Sequence, residues 1–166
     1  MVGYQNIPAD ENTQATKDIH DFQSDQLNGG DHIQACYNFT IGNEKLMEFY
    51  SPYYPNKYPN NSHCIKQISA PYGYIVQVDF RDQFHLEESP NCDYDSLEVR
   101  NGPYGYSDLI GRYCGSDFPS IITSSGRHLW MKFSSDDSIE YTGFRAVYKF
   151  SPVESFNRPE KEGLHK

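Results

Sequence analysis

The sequence predicts an all-β domain, folded as an antiparallel sandwich or barrel. Three observations predict it. Short runs of alternating apolar and polar residues recur between turn signals. The chain holds 14 Tyr and 10 Phe, residue types that favour strands. Few stretches carry the 3.6-residue periodicity of a helix.

Residues 1–34 are polar and aperiodic and are expected to be disordered, with Asn28-Gly29-Gly30 as a flexible break. Residues 35–150 form the domain, and residues 151–166 read as a linker or tail. Ser51 to Asn61 holds three prolines among several Tyr and Asn, so it predicts an ordered loop. Cys64 to Ile68 is a short strand candidate. After Pro71-Tyr72-Gly73 an alternating run places Tyr74, Val76, Val78 and Phe80 on one face, which should be buried. Leu97 and Val99 repeat the pattern before the turn at Asn101-Gly102-Pro103. Leu129, Met131 and Phe133 share a face, with Trp130 and Lys132 on the other. Phe144, Ala146, Tyr148 and Phe150 form the last such set. About 115 residues suffice to bury one core.

The net charge of −9 argues against a nucleic-acid partner and favours a basic protein surface or a cation. Four cysteines without a C-x-x-C pair point to two disulfides in an oxidising compartment, and spacing leaves all three pairings open. Sequons at Asn38 and Asn60 agree with secretion and are candidate glycosylation sites. The first twenty residues hold no apolar signal core, and no run approaches a membrane span, so a mature extracellular fragment is the expectation. Six histidines show no H-x-x-x-H spacing, and neither a nucleophile elbow nor a P-loop occurs. Trp130 reads as a cover over the sandwich edge, with an exposed anchor as the alternative.

The stretch from Phe84 to Gly115 organises the rest. Cys92 and Cys114 bracket its second half, and Glu87 and Asp95 stand on either side of Cys92. An isolated acidic pair is ordinarily a solvated loop pair. Carboxylates pinned near a crosslink also suit a hard cation such as calcium, which takes six to eight oxygen ligands in irregular geometry.

In order, the chain reads SPYYPNKYPNNSHC, an alternating strand, FHLEESPNCDYDSLEVRNG, LIGRYCG, SSGRHLWMKFSSDDS and GFRAVY. This sequence resembles a CUB domain across residues 36–150. More narrowly, LEVRNGPYGYSDLIGRYCG, SSGRHLWMKFSSD and GFRAVYKFSP resemble the first CUB domain of the neuropilin and tolloid-like (Neto) proteins. The resemblance implies a jelly-roll-like sandwich of two antiparallel sheets, with disulfides Cys36–Cys64 and Cys92–Cys114. It also implies a calcium ion held by Glu87, Asp95 and Asp136 and by the backbone carbonyls of Ser138 and Ile139, with Tyr58 hydrogen-bonded to the acids. Lys66 stands where the family pattern has an aromatic, and Tyr37-Asn38-Phe39-Thr40 replaces the usual glycines. Glu88, Asp93, Asp137 and Glu140 read as solvated charges that would attract a basic partner.

The function implied is a non-catalytic, calcium-dependent extracellular recognition module. Tyr58, Glu87, Asp95 and Asp136 are the expected ligand-binding residues, meeting a partner's Lys or Arg. The Neto resemblance implies an accessory subunit of kainate-type glutamate receptors at a synapse or neuromuscular junction, the fragment belonging to a single-span membrane protein. Growth factors of the bone-morphogenetic type are a second partner class. One alternative is the exosite module of a tolloid-like metalloprotease, since H-E-x-x-H is missing from this chain. Another is a secreted CUB-only carbohydrate-binding protein.

Overall fold

A computed structural model describes residues 29–154, with side chains from residue 34. In chain order the elements are α1 (Gly29–Thr40), β1 (Glu48–Tyr50), β2 (His63–Ser69), β3 (Tyr74–His85), β4 (Ser96–Asn101), β5 (Asp108–Tyr113), β6 (Ile122–Thr123), β7 (His128–Ser134) and β8 (Gly143–Pro152). The strands form two four-stranded sheets, ordered β1-β8-β3-β6 and β2-β7-β4-β5. Every strand pair is antiparallel. This is the predicted sandwich.

The alternating runs supply the core. Val76, Val78, Phe80, Phe144 and Ala146 from one sheet meet Leu97, Val99, Leu129, Met131 and Phe133 from the other, all buried. Phe144 contacts Phe39, Phe49 and Phe80 edge-to-face, with ring centroids 5.6–6.3 Å apart. Such pairs add about 0.5–1.5 kcal/mol each beyond the area they bury. Tyr74 departs from expectation. It is 38% exposed, and Ile75 and Val76 are buried side by side. Tyr74 opens the strand and is still bonded through its N–H to the Pro71 carbonyl, so the turn and not the pleat sets its direction. Tyr148 and Phe150, near the end of β8, pack only against the margin of the core.

The helix α1 was not predicted, and it opens at Gly29-Gly30, where a flexible break was expected. Ala35 and Phe39, four apart and therefore on one helical face, are both buried. The helix stops where Gly42 turns to φ 69° and its N–H, with that of Ile41, bonds the Tyr37 carbonyl. The two departures from the family pattern meet here. Lys66 is buried on β2 and donates to the carbonyls of Thr40 (3.1 Å) and Ile41 (3.4 Å) at the helix end. Its ammonium also lies 5.2 Å from the Phe49 ring centroid, a cation–π contact. The charge thus sits where the helix dipole is negative.

Both expected disulfides are present. Cys36–Cys64 ties α1 to β2, and Cys92–Cys114 joins the loop before β4 to the chain after β5. They close spans of 28 and 22 residues, each worth about 3 kcal/mol if the effect is entropic. The segments expected to be unstructured lie mostly outside the described residues.

Candidate metal centre

Four loop segments converge at one end of the sandwich. Tyr58 comes from the loop before β2, Glu87 follows β3, Asp95 precedes β4, and Asp136 follows β7. The sequence separates Asp95 and Asp136 by 41 residues, yet the Asp136 N–H donates to Asp95 Oδ1 at 2.9 Å. The Tyr58 hydroxyl donates to Asp95 Oδ2 at 2.6 Å and accepts from the Glu87 N–H at 3.1 Å. Tyr58 therefore fixes two of the three acidic segments at once. The Asn61 N–H, from a residue at φ 57°, bonds the Asp136 carbonyl at 2.8 Å and holds the third.

One carboxylate oxygen from each of Glu87, Asp95 and Asp136 lies within 4.8 Å of the others. Among the described residues this is the one such grouping of potential metal ligands. Asp95 has no exposed surface and Glu87 is 8% exposed. Glu87 Oε1 is buried without a hydrogen-bond partner. Burial pushes the Glu87 carboxyl up, reinforced by the charges of Asp136 and Asp95. Burial also raises Asp95, against the hydrogen bond from Tyr58. The Tyr58 hydroxyl is driven upward by burial and by its bond to Asp95, so it remains a donor.

Crowded carboxylates have two ways to relieve their repulsion: one takes up a proton, or a cation sits among them. The donor set is all hard oxygen, which suits calcium or magnesium over zinc or copper. The orphaned Glu87 oxygen is the atom a cation would satisfy.

Ser138 and Ile139 stand in the turn just past Asp136, which the Ser138 N–H closes by bonding Asp136 Oδ1 at 3.2 Å. Of the four residues expected to meet a partner, Tyr58 and Asp95 are wholly buried, so only Asp136 offers appreciable side-chain surface. Glu88, Asp93 and Asp137 are exposed, in keeping with solvated charges.

Sequence reasoning missed the support of the site. Ser135, beside Asp136, is buried. Its hydroxyl accepts from the Ser62 N–H at 2.9 Å and donates to the Pro59 carbonyl at 2.7 Å. Ser89 Oγ accepts from the N–H groups of Asp93 and Tyr94 and shapes the loop before Asp95. A serine pattern carries no signal for such bonds until the loops are assembled. Trp130 lies half-buried under the 102–107 turn, whose Gly105 passes so close that a Cβ there would stand 3.0 Å from the ring. It is a cover and not a free anchor. The sequon residues Asn38, on α1, and Asn60, in the loop beside the site, are both half-buried.

Fold and site together define a disulfide-bonded antiparallel β-sandwich with three carboxylates gathered at one end. The chain belongs to the CUB domain family, whose model matches residues 36–148. It is 45% identical over 108 residues to Neuropilin and tolloid-like protein 2 of Mus musculus, covering 65% of this chain and 21% of that protein. It is 38% identical over 146 residues to Bone morphogenetic protein 1 of Xenopus laevis, covering 86% of this chain and 20% of that protein. Among solved structures, the MASP-1 CUB2 domain bound to Ca2+ matches with a TM-score of 0.56 and 34% identity, over 61% of this chain and 89% of that one. The chain thus spans about a fifth of the length of these two curated relatives. A CUB domain is a non-catalytic interaction module, and the homology is consistent with an extracellular one. Among the described residues, no helix is long and apolar enough to cross a membrane.

Proposed function

We propose that this chain is a calcium-dependent, extracellular protein-recognition module. Calcium would be held by Glu87, Asp95 and Asp136, completed by the carbonyls of Ser138 and Ile139. The observation that carries the reading is the buried, unpartnered Glu87 Oε1 among three converging carboxylates. Calcium would cancel their repulsion and lock three loops together before a partner arrives. Rigid acids bind a partner's Lys or Arg at lower ordering cost than mobile ones. Contact would fall on Asp136 and its exposed neighbours, while Tyr58 and Asp95 act from beneath by holding Asp136 in place.

At the level of the whole protein, the reading is a receptor accessory subunit of the Neto kind. Its partners are glutamate receptor subunits of the kainate type, with growth factors of the bone-morphogenetic type as a second class. The match to Neuropilin and tolloid-like protein 2 supports this assignment. The match to Bone morphogenetic protein 1 favours a second reading, a substrate-recognition module beside a protease domain.

Thermal melting in calcium and in chelator tests the metal. Calcium should raise the melting temperature, because a ligand bound only by the folded state stabilises it by mass action. Asp136→Ala should abolish that shift while the β-sheet circular dichroism persists. Equal melting in calcium and chelator would refute the site. Pull-down of glutamate receptor ectodomains with and without calcium separates the partner readings.

A further inference from the structure

We infer that the end of the sandwich opposite the metal centre is a self-association surface, on which a second copy of this chain docks end to end. The inference does not rest on the calcium reading. Three loops meet at that end: 70–73 between β2 and β3, 102–107 between β4 and β5, and 124–127 between β6 and β7. The seven-residue strands β2 and β7 set them about 20 Å from the acids. Tyr72 is 83% exposed and Tyr106 81%, and Tyr74 and Tyr104 are exposed as well. The Tyr104 and Tyr106 rings stack with centroids 4.9 Å apart, and the Arg127 guanidinium lies 3.9 Å from the Tyr72 ring centroid. Hydrogen bonds brace the loops against one another. The Asn101 amide donates to Ser125 Oγ at 2.9 Å, and Asn101 Oδ1 accepts the Ser125 N–H at 3.0 Å. Arg127 Nε donates to the Ala70 carbonyl at 2.9 Å, and Gln67 Nε2 to the Pro103 carbonyl at 3.2 Å. The rings are therefore held in place without being buried, so core packing does not account for them. Rigid tyrosines among Ser, Gly and Asn make a contact surface of low ordering cost.

Charge names the occupant. The three loops hold none of the chain's 23 acids and one cation, Arg127, while the whole chain carries −9. Such a face draws no strongly charged partner, and it is where two acidic chains touch without meeting like charge. End-to-end contact keeps the two acidic ends about 40 Å apart, several screening lengths at physiological salt. A tyrosine patch is also complementary to itself. Each hydroxyl both donates and accepts, and ring faces stack, so the same surface fits its own copy across a two-fold axis. The four rings present on the order of 500 Å² between them. A stable complex buries about 800 Å² per partner, so the dimer expected is reversible, half-formed near ~0.1 mM.

Sedimentation equilibrium of the full chain from about 10 µM to about 1 mM, in calcium and in chelator, tests this, with NMR of the labelled chain over the same range. A reversible dimer should form equally in both buffers. Concentration-dependent shifts should fall on Tyr72, Tyr104, Tyr106 and Arg127 and spare Glu87, Asp95 and Asp136. The double variant Tyr72→Ser/Tyr106→Ser should associate at least about tenfold more weakly, with unchanged circular dichroism. If it misfolds, Tyr106→Ser alone and the wild-type shift map decide. A monomer at every concentration would overturn the inference and leave the tyrosine loops to an uncharged partner of another kind. A dimer that needs calcium, survives both substitutions, or shifts the acidic end instead would overturn it too.

Discussion

Raising the pH from 8 to about 9.5 should stabilise this domain, and Lys66→Met should abolish the effect. Lys66 is 4% exposed. Burial pushes its ammonium down to about 8 from the usual 10.5, with the charge of Glu44 opposing the shift. The unfolded chain keeps the ordinary value. Between about 8 and 10.5 the unfolded state therefore binds more protons than the folded one, and stability rises with pH in that window. Below pH 8 the cost of the buried charge is fully present; above 10.5 it is gone. The slope of this term approaches ~1.4 kcal/mol per pH unit, or about 1.5 kcal/mol between pH 8 and about 9.5. Tyr50, Tyr58, Tyr113 and Tyr148 are held protonated in the fold and act in the opposite sense, from about a unit below the ordinary tyrosine value of 10.0 upward, so the rise is read below about pH 9.5. Lys66→Met also leaves the Thr40 and Ile41 carbonyls without this donor, at about 1–3 kcal/mol each. That loss offsets the relief of the buried charge at neutral pH, so the slope is the diagnostic quantity. Urea unfolding followed by circular dichroism, at closely spaced pH values, measures it. The experiment is chemically clean because all four cysteines are paired and no thiolate can reshuffle them. A flat wild-type profile, or the same rise in Lys66→Met, would refute the reasoning.

Tyr58→Phe removes the hydroxyl that bonds both Asp95 and the Glu87 N–H, so calcium affinity measured by calorimetry should fall about tenfold. Gly143→Ala should destabilise by about 2–4 kcal/mol in urea unfolding, since Gly143 sits at φ 76° and a Cβ there would overlap the buried Ser51 hydroxyl. Phe144→Ala should cost about 3–5 kcal/mol in the same assay, because it empties the centre of the aromatic cluster.

The strands with one buried face were legible because alternation with period two is a local property. Leu97 and Val99, or Leu129, Met131 and Phe133, declare their face within a few residues. The family motifs added the disulfide pairing and the three acids. Elements without that local signature were missed. No residue of β5 is fully buried, and β1 and β6 span only three and two residues. The helix α1 shows its apolar face through little more than Ala35 and Phe39, a spacing too sparse to outweigh the glycines before it. Tertiary structure alone decided the state of each acid. The sequence names Glu87, Asp95 and Asp136, but burial of Asp95, the orphaned Glu87 oxygen and the surface left to Asp136 arise only when loops distant in the chain are brought together. Lys66 makes the same point: in sequence it is a charge interrupting a strand, and only the end of α1 gives that charge its carbonyl partners. Desolvation and hydrogen bonding depend on neighbours in space, and the order of residues along the chain does not state them.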